Sequence, residues 1–242
     1  MTEEKAILIP RQDSLVSEDR KLRRWFQDLG IFLNTYPSDN KFRGKLGKDN
    51  TDSLWNARPL ILKKLDYVTQ FWFHTENVGL HTYHVAMNLD TEKTYNGVDY
   101  LKKRLDMVKV IRAAALFHDN GKRNDPANTD HPYDSAQEVE QYLKWMNFND
   151  KEIRLCLHLI ANHDVLGKVA NPHAKKTIDD IIKICQTPAI LQCLWVFTIA
   201  DVRSIEGLMR MPNILKKITE IVRDVYPHLK KEVEKKVYSL PK

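Results

Sequence analysis

The sequence predicts an all-α protein, and three observations carry that prediction. Apolar residues recur every three or four positions through most of the chain, the spacing of a single helix face. No segment alternates apolar and polar residues convincingly enough to read as a strand. Only eight glycines occur in 242 residues, few for a sheet-rich fold that must turn tightly many times.

Residues 1–16 read as an irregular arm. Ser17, Glu18 and Asp19 resemble a helix start, and Leu22, Trp25, Phe26, Leu29, Phe32 and Leu33 follow at helical spacing. Pro37, Gly44 and Gly47 lie among charges and make 36–50 a loop, whose Lys41, Arg43, Lys45 and Lys48 face solvent or an anionic ligand. A second helical pattern starts at Ser53 and runs through Leu54, Leu60, Ile61, Leu65, Val68, Phe71 and Trp72. Residues 77–79 break it, and a third helix carries His81, His84, Val85 and Leu89.

A turn at 95–97 leads into a long helix over 98–117 that delivers His118 and Asp119. Residues 120–130, with Gly121 and Pro126, have no apolar period and read as a loop over a site. Pro132 suits the first turn of the next helix, which runs to about Met146. Asn149 or Asp150 caps another, ending near His163. Residues 164–176 read as a second basic loop, with Lys168, Lys175 and Lys176. Thr177 and Asp180 have capping-box spacing and open a short helix to Cys185. Pro188 opens a strongly apolar helix over 190–205 that contains Asp201, and Pro212 begins a last amphipathic helix before a charged tail over 230–242.

The hydrophobic fraction of 43% and charged fraction of 29% are those of a globular protein that buries a sizeable core. A net charge of +6 favours small anionic partners such as nucleotides or phosphates, without a signal for specific nucleic-acid binding. No apolar run approaches the roughly 20 residues needed to cross a membrane. The first residues, MTEEKAILIPRQD, lack the pattern of a signal peptide. Cys156, Cys185 and Cys193 are odd in number and lack metal-knuckle spacing, so reduced thiols and a cytoplasmic location are expected.

The chemistry concentrates in AAALFHDNGK, residues 113–122. His118 and Asp119 place an imidazole and a carboxylate side by side after an apolar helix, a natural start for a divalent-metal site. Asp201 stands in LWVFTIADVRS, where a bare buried carboxylate costs several kcal/mol unless it is paired or bound to a cation. Taken singly, each residue has an ordinary reading: Asp201 neutralised by Arg203, His81 a hydrogen-bonded core histidine, the doublet surface decoration. Taken together, several imidazoles and two carboxylates in apolar helices point to a cation.

The order His81, His118–Asp119, Asp201 resembles the signature of the HD-domain metal-dependent phosphohydrolases. The local contexts HTYHVA, ALFHDNGK and TIAD carry the likeness, which spans residues 77 to 207. His131 in DHPYDSA and His163 in LIANHD are similar to the extra histidines of the two-metal subtype. The stretch from His131 through Asp201 also resembles the HD domain of the bifunctional uridylyltransferase/uridylyl-removing enzyme. The resemblance implies an HD helical bundle over 77–210, with an arm and accessory helices at 1–76 and a C-terminal helix and tail at 211–242.

It further implies one or two divalent ions, with Mn, Fe, Mg, Co, Ni and Zn all open. His81, His118 and Asp201 would hold one ion, His131 and His163 the other, and Asp119 would bridge. Hydrolysis of a phosphate ester or diester in a nucleotide or nucleotidyl-linked substrate is then expected. Lys122 would contact a phosphate oxygen, with Arg123, Lys168 and Arg203 as further substrate contacts. A di-iron oxygenase of the same superfamily and a non-catalytic nucleotide-binding regulator are the alternatives. His74, His173 and His228 read as surface residues, and His84 as core or surface.

Overall fold

A computed structural model describes residues 12–35, 55–70, 74–89, 105–123, 125, 127–171, 173, 175–205 and 213–238. Among them the fold is all-α, and the one β feature is an isolated bridge between Thr69 and Asn77. In chain order the helices are α1 (Gln12–Thr35), α2 (Leu60–Lys63), α3 (Val78–Asn88), α4 (Leu105–Phe117) and α5 (His131–Trp145). There follow α6 (Asp150–Ala161), α7 (Val165–Ala170), α8 (Ile178–Cys185), α9 (Pro188–Ser204) and α10 (Ile214–Tyr238). Short 3₁₀ turns occupy Lys64–Tyr67 and Asn120–Arg123. The loop expected at 36–50 and the turn at 95–97 lie outside the described residues.

Helix α4 is the axis of the bundle. Every residue from Met107 to Phe117 is buried, and α1, α3, α6 and α9 pack around it. Ala113, Ala114 and Ala115 present almost no side-chain bulk, so neighbouring helices approach the last turns closely. Helix α9 is nearly as enclosed, with Leu194, Val196, Phe197 and Ala200 all fully buried. On the other side, α1 sends Phe26 into a stack with Tyr142 of α5, ring centroids 4.4 Å apart. Gly30 permits that approach, because a Cβ there would strike the backbone of Met146 at the end of α5.

Caps stop several helices where the sequence asks them to. Asn77 caps α3 by accepting from Leu80 N, and Asn149, rather than Asp150, makes a full capping box with Glu152 at the start of α6. The box of Thr177 and Asp180 opens α8 as expected.

Four expectations change. Helix α1 begins at Gln12, upstream of Ser17, so the arm is shorter than its composition suggested. The pattern from Ser53 to Trp72 is not one helix: Pro59 has no N–H to donate and sits at the N-cap of α2, which tightens into a 3₁₀ turn and ends at Tyr67. The basic loop over 164–176 contains α7, an α-helical turn and a half that buries Val165 and Leu166. The charged tail is helical to Tyr238, because α10 continues through Pro227. Among the described residues, no single helix is long and apolar enough to cross a membrane.

Candidate metal centre

Three histidines at this centre follow helix ends or turns and use one device. Helix C-termini leave carbonyls without intrahelical partners. His118 Nδ1 donates to Ala115 O at 2.9 Å, and His163 Nδ1 to Ile160 O at 2.8 Å, each reaching back three residues to the end of its own helix. His131 Nδ1 does the same with Asn128 O at 2.8 Å, at the entrance to α5. A carbonyl only accepts, so each Nδ1 carries the proton and each Nε2 presents a lone pair. His81 reaches that state by another route. Ser204 Oγ spends its proton on Asp201 O, at 2.6 Å, and therefore accepts from His81 Nδ1 at 2.9 Å.

The four Nε2 atoms converge on two carboxylates. Asp119 Oδ2 lies 3.7 Å from His81 Nε2 and 3.6 Å from His118 Nε2, while Oδ1 lies 3.1 Å from His131 Nε2 and 3.8 Å from His163 Nε2. Asp201 Oδ1 is 3.1 Å from His81 Nε2 and 3.9 Å from His118 Nε2. Lys122 completes the ring, its ammonium 2.8 Å from Asp119 Oδ2. Helices α3, α4, α5 and α9, with the end of α6, thus contribute one or two groups each.

Residues 71–202, more than half of the chain, match the HD-domain family. The chain belongs to the HD-domain family. The residues whose order resembles its signature, His81, His118, Asp119 and Asp201, are brought together here, with His131 and His163 beside them.

The donor set of this HD domain suits a cation. Asp119 Oδ1, Asp201 Oδ1 and His131 Nε2 are buried without a hydrogen-bond partner among the described residues. Each offers an electron pair to another electron pair, an arrangement that is repulsive unless positive charge lies between. Two groups have ligand atoms close enough to share an ion: His81, His118 and Asp119, and Asp119, His131 and His163. Imidazole and carboxylate donors accept Zn, Fe, Mn, Co or Ni, so the donors do not select one metal.

Protonation states agree with this role. Burial, reinforced by His163 and His81, pushes the His118 imidazole down to about 3 against the pull of Asp119 and Asp201. Burial likewise lowers His163. Burial opposes charge on Asp119, yet the Lys122 ammonium, 2.8 Å from its Oδ2, holds its carboxyl well below the usual range.

Stripped of metal, the protein is therefore expected to lose stability as pH falls. Folded His118 stays neutral down to about 3, whereas its unfolded counterpart takes up a proton near 6.5. Between those values the unfolded chain binds the extra proton, and each pH unit shifts the balance by about 1.4 kcal/mol. Asp119 adds to the loss at lower pH, as the unfolded carboxyl protonates first. Thermal denaturation in chelator from pH 7.5 to 4.5 measures the slope, which His118→Asn should flatten. An unchanged slope in the variant would contradict a neutral buried imidazole.

The sequence missed several residues here. His74 is not a surface residue: it is half-buried, edge-on to His81 with ring centroids 4.9 Å apart, and burial with His81 lowers it to about 4. Gln70 accepts from Lys122 at 3.0 Å, and Ser135 Oγ accepts from Gly121 N at 2.8 Å. Only Ser204, one helical turn past Asp201, carried a legible signal. His84 instead pairs with Glu76 at 2.8 Å on the surface, and His173 and His228 are exposed.

Of the other basic candidates, Arg123 is paired with Glu138 of α5 at 2.8 Å. Lys168 is paired with Asp164 at 2.5 Å, on α7 rather than on a loop. Arg203 lies in the last turn of α9, half-buried. The lysines at 41, 45 and 48, with Arg43, fall outside the described residues.

Proposed function

We propose that the protein is a divalent-metal phosphohydrolase that cleaves a phosphate ester or diester in a small anionic substrate. A nucleotide or nucleotidyl-linked compound is the class its positive charge favours, and the likeness to a uridylyl-removing domain supports it. One observation carries the reading: Asp119 turns one carboxylate oxygen to His81 and His118, and the other to His131 and His163. One carboxylate serving two sets of imidazoles is the donor pattern of a two-ion centre.

In this reading His81, His118 and Asp201 would hold one ion, His131 and His163 the other, with Asp119 available to both. Such ions supply Lewis acidity and generate a water nucleophile at neutral pH. The chain supplies the rest. Backbone carbonyls and Ser204 hold the four rings so that Nε2 always faces inward, which lowers the reorganisation needed when an ion arrives. Lys122, anchored between Asp119 and Gln70, keeps an ammonium beside the reacting region to offset charge on a phosphoryl group. Arg123 and Lys168 have weaker support as substrate contacts, since each already holds a carboxylate.

The test is reconstitution of metal-free protein with each candidate metal, followed by metal analysis and a panel of nucleotides and phosphodiesters. Two ions per chain with hydrolysis of at least one substrate class is the expected result. Iron-loaded protein that consumes oxygen, with no hydrolysis under any metal, would replace this reading by the oxygenase one.

A further inference from the structure

Gln70 borders the same centre with half of its carboxamide unused. Its Oε1 accepts from Lys122 Nζ at 3.0 Å, and Lys122 also donates to Asp119 Oδ2 at 2.8 Å. An ammonium has donors only, so this contact decides which end of the amide faces it. Nε2 is then turned away from Lys122, buried, and without an acceptor among the described residues. Buried N–H donors are nearly always paired, so an orphan next to a reactive centre calls for a partner that arrives.

The sign of the unmet need is informative. Asp119 Oδ1, Asp201 Oδ1 and His131 Nε2 lack a positive partner. Gln70 Nε2 lacks an electron-rich one. Cation ligands therefore lie beside a neutral N–H donor and an ammonium, the combination that suits an oxyanion bridging metal and protein.

The backbone holds Gln70 in place. Thr69 pairs with Asn77, and Val78 N donates to Val68 O at 2.9 Å, which ties this stretch to the start of the helix carrying His81. The 3₁₀ turn before it packs against the 3₁₀ turn that carries Lys122. Gln70 is thus placed by the scaffold of the metal centre rather than by a free loop.

We propose that Gln70 is a substrate-binding residue whose Nε2 donates to a non-bridging phosphoryl oxygen while its Oε1 steadies Lys122. The assignment rests on the phosphohydrolase reading above and adds a neutral, directional donor to it. Gln70→Leu removes both halves of the amide. Gln70→Glu keeps the acceptor for Lys122 and removes the donor. Binding of inorganic phosphate to the full, Mn²⁺-loaded chain is measured by calorimetry, with metal content determined alongside.

Gln70→Leu is expected to weaken phosphate about 10-fold, both in the wild-type background and in Lys122→Met, at unchanged metal content. Gln70→Glu should weaken it at least as much. If the loss disappears in the Lys122→Met background, Gln70 acts only through Lys122 and the assignment is overturned. Wild-type phosphate affinity in Gln70→Glu overturns it as well. Loss of phosphate binding by metal-loaded wild-type protein would instead remove the phosphohydrolase reading, so the two failures are told apart by the wild-type control.

Discussion

Asp119→Asn is expected to lose both ions while the metal-free protein still folds. The substitution keeps the shape of the side chain and replaces one oxygen by NH₂. At the Oδ1 position that NH₂ faces His131 Nε2, 3.1 Å away, whose lone pair has no partner. The remaining oxygen still accepts from Lys122. In the metal-free protein an unfavourable contact thus becomes a hydrogen bond, worth about 1 kcal/mol. The same change removes the one group shared by both sets of imidazoles and leaves a neutral amide as ligand. Metal content should fall from two ions toward none, and hydrolysis by about 10³-fold or more, since the loss removes water activation itself. Metal analysis, a thermal melt in chelator and turnover are the three readouts. A variant that still holds two ions would show that Asp119 does not bridge.

Gly121→Ala should be among the most damaging changes outside the ligands. Gly121 lies in the 3₁₀ turn after the doublet, and a Cβ there would meet His131 O at 2.5 Å, Asp134 Cβ at 2.8 Å and Ser135 N at 2.9 Å. These atoms belong mostly to the backbone of the first turn of α5, which cannot step aside singly. The turn must withdraw, stretching the hydrogen bond from Gly121 N to Ser135 Oγ and moving Asp119 away from His131. Overpacking of this kind costs about 2–3 kcal/mol, or roughly 5–10 °C in Tm for a chain of this size. The second ion should be lost before the first, because His81 and His118 do not depend on α5. Titration that finds two ions bound as tightly as in wild type would mean that α5 is not held by this contact.

How much of this was legible in the amino acids depends on the range over which each signal acts. Helix periods, the caps at Asn149 and Thr177, and the break at Asn77 before the third helix are local, and they appear where the sequence places them. The run of 53–72 misled because its apolar period was real while Pro59 constrained the backbone more strongly. Residues 164–176 misled in the other direction: their charges suggested a loop, yet Val165 and Leu166 find a core to bury in and pull one turn and a half into helix. His74 read as surface because nothing nearby in sequence reveals that His81 will lie against it.

By itself the sequence determined that the chain is helical, that an apolar helix ends at the His118–Asp119 doublet, and that His81, His118, Asp119 and Asp201 belong to one centre. Polar residues in apolar helices are expensive, and the few that persist must answer one another. Only the tertiary structure decided the division of labour within that centre. Which oxygen of Asp119 faces which histidines, and why Gly121 has no side chain, follow from the 3₁₀ turn after α4 meeting α5 at the doublet. Those are contacts between distant segments, set by angles and by spacings of a few tenths of an ångström, and the local preferences of the chain do not specify them.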